Sequence, residues 1–150
     1  MPQERQSMIR SNFTQHLTST VTKLRTDNKF TDVTLVCDDK RQFQAHKFIL
    51  SASSSVFETM LSGANHQNPM ILLHGIQSDV MDSLLQFMYF GETSCSEKTL
   101  DKFFIAARIL DIQELQTGDQ VVEQVFLEDR DSKSESYFES VLRLLTLSWL

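Results

Sequence analysis

The chain has 150 residues, a formal net charge of −6 and 41% hydrophobic residues. That length suits one domain with a core of its own, and an acidic balance without a Lys/Arg cluster offers no phosphate-neutralising patch for direct nucleic-acid binding. Two cysteines are too few for a disulfide scaffold, the polar start MPQERQSMIR has no secretory pattern, and no run of 18 apolar residues is present to span a membrane.

Asn12 and Gln15 have capping-box character at the head of a first helix. Phe13, Leu17, Val21 and Leu24 follow as one apolar stripe, ending near Asp27. From Asp32 the period changes to two: Val33, Leu35 and Cys37 alternate with Thr34 and Val36, which predicts a strand. Asp38–Arg41 reads as a solvated turn, and Phe43 and Ala45 alternate with Gln42, Gln44 and His46 in an antiparallel return strand. A short helix starts at Lys47, with Phe48, Ile49, Leu50 and Ala52 crowded on one side. Ser53-Ser54-Ser55 breaks it, and Ser55 with Glu58 has the S-x-x-E spacing of a capping box for a next helix that buries Phe57, Met60 and Leu61.

Asn68-Pro69 is a loop and Met70–His74 a short apolar strand. Ser78 is placed to cap a helix carrying Val80, Met81, Leu84, Leu85, Phe87 and Met88, which stops at Gly91. Thr93–Cys95 is read as a brief edge strand, so both cysteines are expected to be buried thiols in strands. Ser96–Leu110 is a helix with Leu100, Phe103, Phe104, Ala107 and Leu110 inward; a helical turn over Ile112–Leu115 and a helix with Val121, Val122 and Val125 follow. Glu128–Ser136 has six charges in nine residues and no apolar member, the composition of a disordered linker. The last 14 residues, YFESVLRLLTLSWL, are apolar and are expected to lie outside the domain core.

Nothing in this order is arranged for catalysis. There is no G-x-S-x-G elbow, H-E-x-x-H, Walker loop or G-x-G-x-x-G. The four glycines sit near element ends, and no C-x-x-C or close histidine pair offers a zinc site. The expectation is an interaction module that is not an enzyme and needs no cofactor or metal.

Three separated motifs sharpen that reading: F-x-D-V-T-L from Phe30, A-H-K-x-x-L-S-A-S-S-x-x-F from Ala45, and F-M-Y-x-G-E from Phe87. Their order resembles the BTB/POZ domain over roughly residues 12 to 126. The resemblance implies an α+β fold: a small, mainly three-stranded sheet flanked by a cluster of five to six helices. It divides the chain into an N-terminal segment, 1–11, exchanged between subunits of a dimer, the domain at 12–127, the linker at 128–136 and the tail at 137–150, which has no counterpart in the family. It also implies a homodimer whose interface is built from Met8, Ile9, Phe13, Leu17, Val21 and Leu24, with exchange as the low-cost route to symmetry. Asp32 and Lys47, brought together by the hairpin, would form a charged pocket at that interface. Lys47 stands where many relatives have Arg, keeping the charge but not the fork geometry. His46 is expected to be a packed, hydrogen-bonded core histidine.

An arthropod subgroup that forms higher assemblies carries aromatic-x-Leu-Arg-Trp-Asn-Asn near its start. This chain has SMIRSN there, which argues against assembly by that route, although HQNPMILLHGI and FMYFGE resemble the subgroup. The implied function is homodimerisation, or heterodimerisation with other BTB/POZ proteins, and recruitment of corepressors or chromatin factors. The location implied is the nucleus, with the cytoplasm as the alternative. The competing reading is a substrate adaptor for a cullin-based ubiquitin ligase. Such adaptors carry an apolar-x-Glu motif after the third helix, whereas the loop SGANHQNP has no Glu and none occurs between Glu58 and Glu92. A potassium-channel-like tetramerisation domain is a third reading, opposed by the A-H-K run and the amphipathic first helix.

Overall fold

The computed structural model describes residues 1–112. The order is α1 (Phe13–Thr26), β1 (Val33–Cys37), β2 (Gln42–Ala45), α2 (Lys47–Ser53), α3 (Ser55–Ser62), β3 (Met70–Leu73), α4 (Ser78–Phe90) and α5 (Glu97–Ile109). The expected helices near Leu115 and Val125, the linker and the tail lie outside the described residues.

The sheet is mixed, with order β2-β1-β3. β1 pairs antiparallel with β2, Val33 opposite Ala45, and parallel with β3, Leu35 opposite Ile71. The alternation predicts this well: Val33, Leu35, Phe43, Ala45, Ile71 and Leu73 all face the core. Helices close over that face. α3 contributes Phe57, Met60 and Leu61, α4 contributes Val80, Met81, Leu84 and Leu85, and α5 contributes Phe103, Phe104 and Ala107. Each fully buried side chain such as Phe57 or Leu84 is worth about 1.5–3 kcal/mol against exposure. α4 ends where the sequence predicts, because Gly91 adopts φ 87° and its N–H closes onto the Phe87 carbonyl at 2.9 Å.

The helix starts differ from expectation. Asn12 has no capping side-chain bond and is left-handed at φ 56°; α1 begins on its backbone carbonyl, which accepts from the His16 N–H at 3.0 Å. α3 is capped by Ser54, not Ser55: the Ser54 hydroxyl accepts from the Phe57 N–H at 3.1 Å. Ser54 also donates to the Leu110 carbonyl, and its backbone forms an isolated bridge with Ile112, so one residue starts α3 and anchors the end of α5. Ser55 is thereby turned to the Asp111 carboxylate. Ser78 is likewise the first residue of α4 rather than its cap; Gln77 holds the cap position and the Ser78 hydroxyl donates to Asp39.

Three further expectations are corrected. Thr93–Cys95 is irregular, so Cys95 is half-buried outside any strand, while Cys37 is buried in β1. Burial, then the nearby Asp39 and Asp38 carboxylates, push the Cys37 thiol up to about 11, away from reactive thiolate. The turn at Asp38 is tied down: Asp38 accepts the Gly75 N–H at 2.7 Å and lies 3.7 Å from His74 Nδ1. Phe48 and Ala52 are exposed, whereas Leu50 and Ser53 face the core. A seven-residue helix has room for one inward edge; Leu50 and Ser53 occupy it, with Ile49 partly buried against the core beside them, as expected.

Ser54→Ala removes a cap and leaves the buried end of α5 without its donor. We expect it to cost about 2–3 kcal/mol, read as a lower urea midpoint with unchanged slope, with Ser55→Ala costing less.

Candidate interaction surface

The hairpin sets the geometry. The Asp32 N–H donates to the Ala45 carbonyl at 3.0 Å, which closes the ladder one residue beyond β1. That brings the Asp32 carboxylate to the first turn of α2, where it accepts the Lys47 N–H at 2.7 Å. An acidic side chain from another element thus supplies the cap that His46, with no capping side-chain bond, does not. The hairpin therefore unites Asp32 and Lys47, but through backbone rather than as a side-chain ion pair. The Lys47 ammonium instead donates to the His66 carbonyl at 3.2 Å.

Next to this contact, His46 is bound on both ring nitrogens. Nε2 faces the Lys29 carbonyl at 2.8 Å, so it carries the proton. Nδ1 then accepts from the Tyr89 hydroxyl at 2.7 Å, and that hydroxyl accepts from the His46 backbone N–H at 2.8 Å. One neutral tautomer satisfies all three contacts. The Arg25 guanidinium lies over the Tyr89 ring at 5.3 Å, linking the end of α1 to the same cluster. Burial raises the Tyr89 phenol to about 12, against smaller opposing effects of the His46 hydrogen bond and Arg25. The sequence pattern marks His46 but not Tyr89, Arg25 or Lys29. Tyr89 was legible as the fourth residue after Leu85 on the inward face of α4.

The remaining candidate residues lie on the outside. Met8 and Ile9 are more than 90% exposed, and Phe13 and Leu17 remain about half exposed, at 51% and 48%. Only Val21 of the stripe packs against the core as a partly buried side chain, while Leu24 is half-buried. α1 thus rests on the domain by its second half and leaves the first half uncovered. Around the corner Phe48, Ser51, Ala52, Ser55 and Glu58 line a shallow open groove of about 440 Å³. Phe30, at φ 59° and 83% exposed, stands two residues before Asp32. These aromatic groups were missed because a short apolar run does not declare which member faces water. Among the described residues no helix is long and apolar enough to cross a membrane, and no group of three metal-ligating side chains gathers.

Tyr89→Phe leaves two His46 groups without their partner, and should cost about 1–3 kcal/mol at neutral pH. The phenol also links stability to pH. Its folded value, about 12, lies above the ordinary 10, so its contribution is full below pH 10 and is lost as pH rises through about 12. Urea titrations between pH 9 and 12 should show a steeper loss for the native protein than for Tyr89→Phe.

The comparisons agree with this architecture. The family model described as BTB/POZ domain matches residues 21–124. Protein abrupt of Drosophila melanogaster is 37% identical over 105 residues, 70% of this chain but 12% of abrupt itself. Longitudinals lacking protein-like, from the same organism, is 32% identical over 116 residues, covering 77% of this chain and 91% of that protein. The chain thus spans only a small part of abrupt and nearly all of the second relative. Among solved structures, the BTB domain of zebrafish PATZ1 superposes with a TM-score of 0.70 at 21% identity, covering 83% of this chain and all of that one. With the mixed sheet, its five described helices and the A-H-K hairpin junction in place, the chain belongs to the BTB/POZ family, a protein–protein interaction module.

Proposed function

We propose that the chain forms a homodimer through α1 and the segment before it, and that the dimer recruits corepressors or chromatin factors in the nucleus. The observation that supports this reading is the uncovered apolar row Met8, Ile9, Phe13 and Leu17. A contiguous apolar surface of this kind marks an interaction site in a soluble domain. Phe13 and Leu17 are one turn apart on the same face, so a two-fold axis across α1 sets each row against its own copy. Asp32 and Lys47, both half-buried, supply the charged part of the proposed interface, and the groove beside Phe48 is the proposed place for a partner peptide. The same row suits pairing with other BTB/POZ chains.

An obligate dimer has an unfolding midpoint that rises with protein concentration. Leu17→Asp puts a charge on the axis twice, once per subunit. It should weaken association by about 4 kcal/mol, roughly a thousandfold, read as a monomeric mass by sedimentation at micromolar concentration. Asp32→Ala should weaken the dimer as well, because α2 loses its cap; Asp101→Asn, on the exposed side of α5, should change nothing. A native protein that is monomeric at every concentration overturns the reading.

The cullin-adaptor reading has a separate test. With no Glu between Glu58 and Glu92, the chain lacks the apolar-x-Glu contact expected after the third helix. A purified cullin N-terminal domain should show no submicromolar binding by calorimetry.

A further inference from the structure

The two edges of the sheet are unlike. β2 displays Gln42 and Gln44 behind Lys40 and Arg41, the polar and charged residues that discourage strand addition. β3 is bonded to β1 only. The Thr34 N–H donates to the Pro69 carbonyl at 3.0 Å, and the parallel register sets Thr34 beside Met70 and Val36 beside Leu72. That turns the amides of Ile71 and Leu73 to β1 and leaves the N–H and C=O groups of Met70 and Leu72 on the outer edge, unpaired among the described residues. The same two side chains are exposed, Met70 at 60% and Leu72 at 49%. No Lys, Arg, Asp or Glu occurs between Glu58 and Asp79, so none of the charges that guard the β2 edge stands on this one. Such an edge is a template for another extended backbone.

Size limits the occupant. The two exposed side chains offer on the order of 200 Å², against about 800 Å² per partner in a stable interface. That is too little to hold a second folded copy. It suits a short extended segment, which draws on backbone hydrogen bonds as well as side chains. Charge sets the direction of that segment. Past β3, the Gly75 N–H donates to Asp38 at 2.7 Å, His74 Nδ1 lies 3.7 Å from the same carboxylate, and the Ser78 hydroxyl donates to Asp39. Asp79 follows in the first turn of α4. Three carboxylates thus gather where the chain leaves β3. The cations nearby are Lys40 and Arg41, and the Arg41 guanidinium is laid over the Phe43 ring at 5.1 Å. The Asp38 side chain remains 35% exposed, and Asp39 is open to water. An antiparallel strand, the more stable pairing per residue, sets its own N-terminal end beside this acidic cluster.

We propose that the free edge of β3 takes an extended segment of another protein, antiparallel to β3. The segment carries apolar side chains at alternate positions against Leu72 and Met70, and a lysine or arginine at its N-terminal end against Asp38 and Asp39. The site uses none of the residues of the apolar row on α1, so it does not depend on the proposed dimer.

An NMR titration of the full 150-residue chain with a capped pentapeptide tests it. The peptide reads lysine, threonine, valine, threonine, valine, and a control peptide has glutamate in place of the lysine. The Met70 and Leu72 amides should shift together and saturate with a Kd on the order of 1 mM, and their exchange with solvent should slow about tenfold at saturation while that of Ile71 and Leu73 stays unchanged. The glutamate peptide should bind about fivefold more weakly, the effect of reversing one exposed charge. Leu72→Lys, at an exposed position, should abolish the shifts and leave the unfolding midpoint unchanged. Absence of saturable shifts at Met70 and Leu72 overturns the proposal, as does equal binding of the two peptides. Met70 and Leu72 amides already protected without peptide also overturn it, since a second copy or another part of the same chain would then be the occupant.

Discussion

The contact on which the rest of the molecule hangs is the carboxylate of Asp32 on the N–H of Lys47. It joins the first residue of the hairpin to the first turn of α2, where a helix needs an acceptor and its own preceding residue, His46, provides none. The bond is charge-assisted, and it fixes α2 against the open end of the β1–β2 ladder. From there the direction of α3, and then of β3 back alongside β1, follows by short connections. His46, freed from capping, spends both ring nitrogens on Tyr89 and Lys29. Three elements distant in sequence, the end of α1, the hairpin exit and α4, thus meet at one neutral imidazole.

A second junction does the same at the far side of the helices. Ser54 caps α3 with its hydroxyl oxygen and gives the hydroxyl proton to the last turn of α5. The two junctions decide by exclusion which apolar groups stay exposed. The inward positions of α2 are taken by Leu50 and Ser53, so Phe48 and Ala52 must face water. The second half of α1 is held over Tyr89 by Arg25, so its first half projects with Phe13 and Leu17 uncovered. Exposure of these apolar groups follows from how the core is closed, and it leaves them open to the partners proposed for the domain.

The three strands of the sheet, the inward face of α5 and the stop of α4 at Gly91 were legible in the sequence, because periodicity and a left-handed glycine report local physics; the strand expected at Thr93–Cys95 was not there. The choice of family was legible too, since three separated motifs occur in one order. The candidate residues at the hairpin, Asp32 and Lys47, could be paired from topology alone: a short turn must return the chain to the end at which it began. What was not legible is the atom used, which is the backbone N–H rather than the ammonium.

Local pattern determined where elements lie and which strand faces point inward, because a strand alternates and a helix repeats whatever surrounds it. Tertiary structure decided the caps and the exposures. Ser53, Ser54 and Ser55 are chemically alike; only the carbonyl of Leu110 and the carboxylate of Asp111, 56 residues away, make Ser54 the cap and Ser55 its neighbour's partner. Asp38, in a stretch that reads as a solvated turn, is held because Gly75 arrives with an N–H to satisfy. A short apolar run such as Phe48-Ile49-Leu50 states that something is buried, but the neighbours that close over it choose which member, and those neighbours are fixed only when the whole chain has folded.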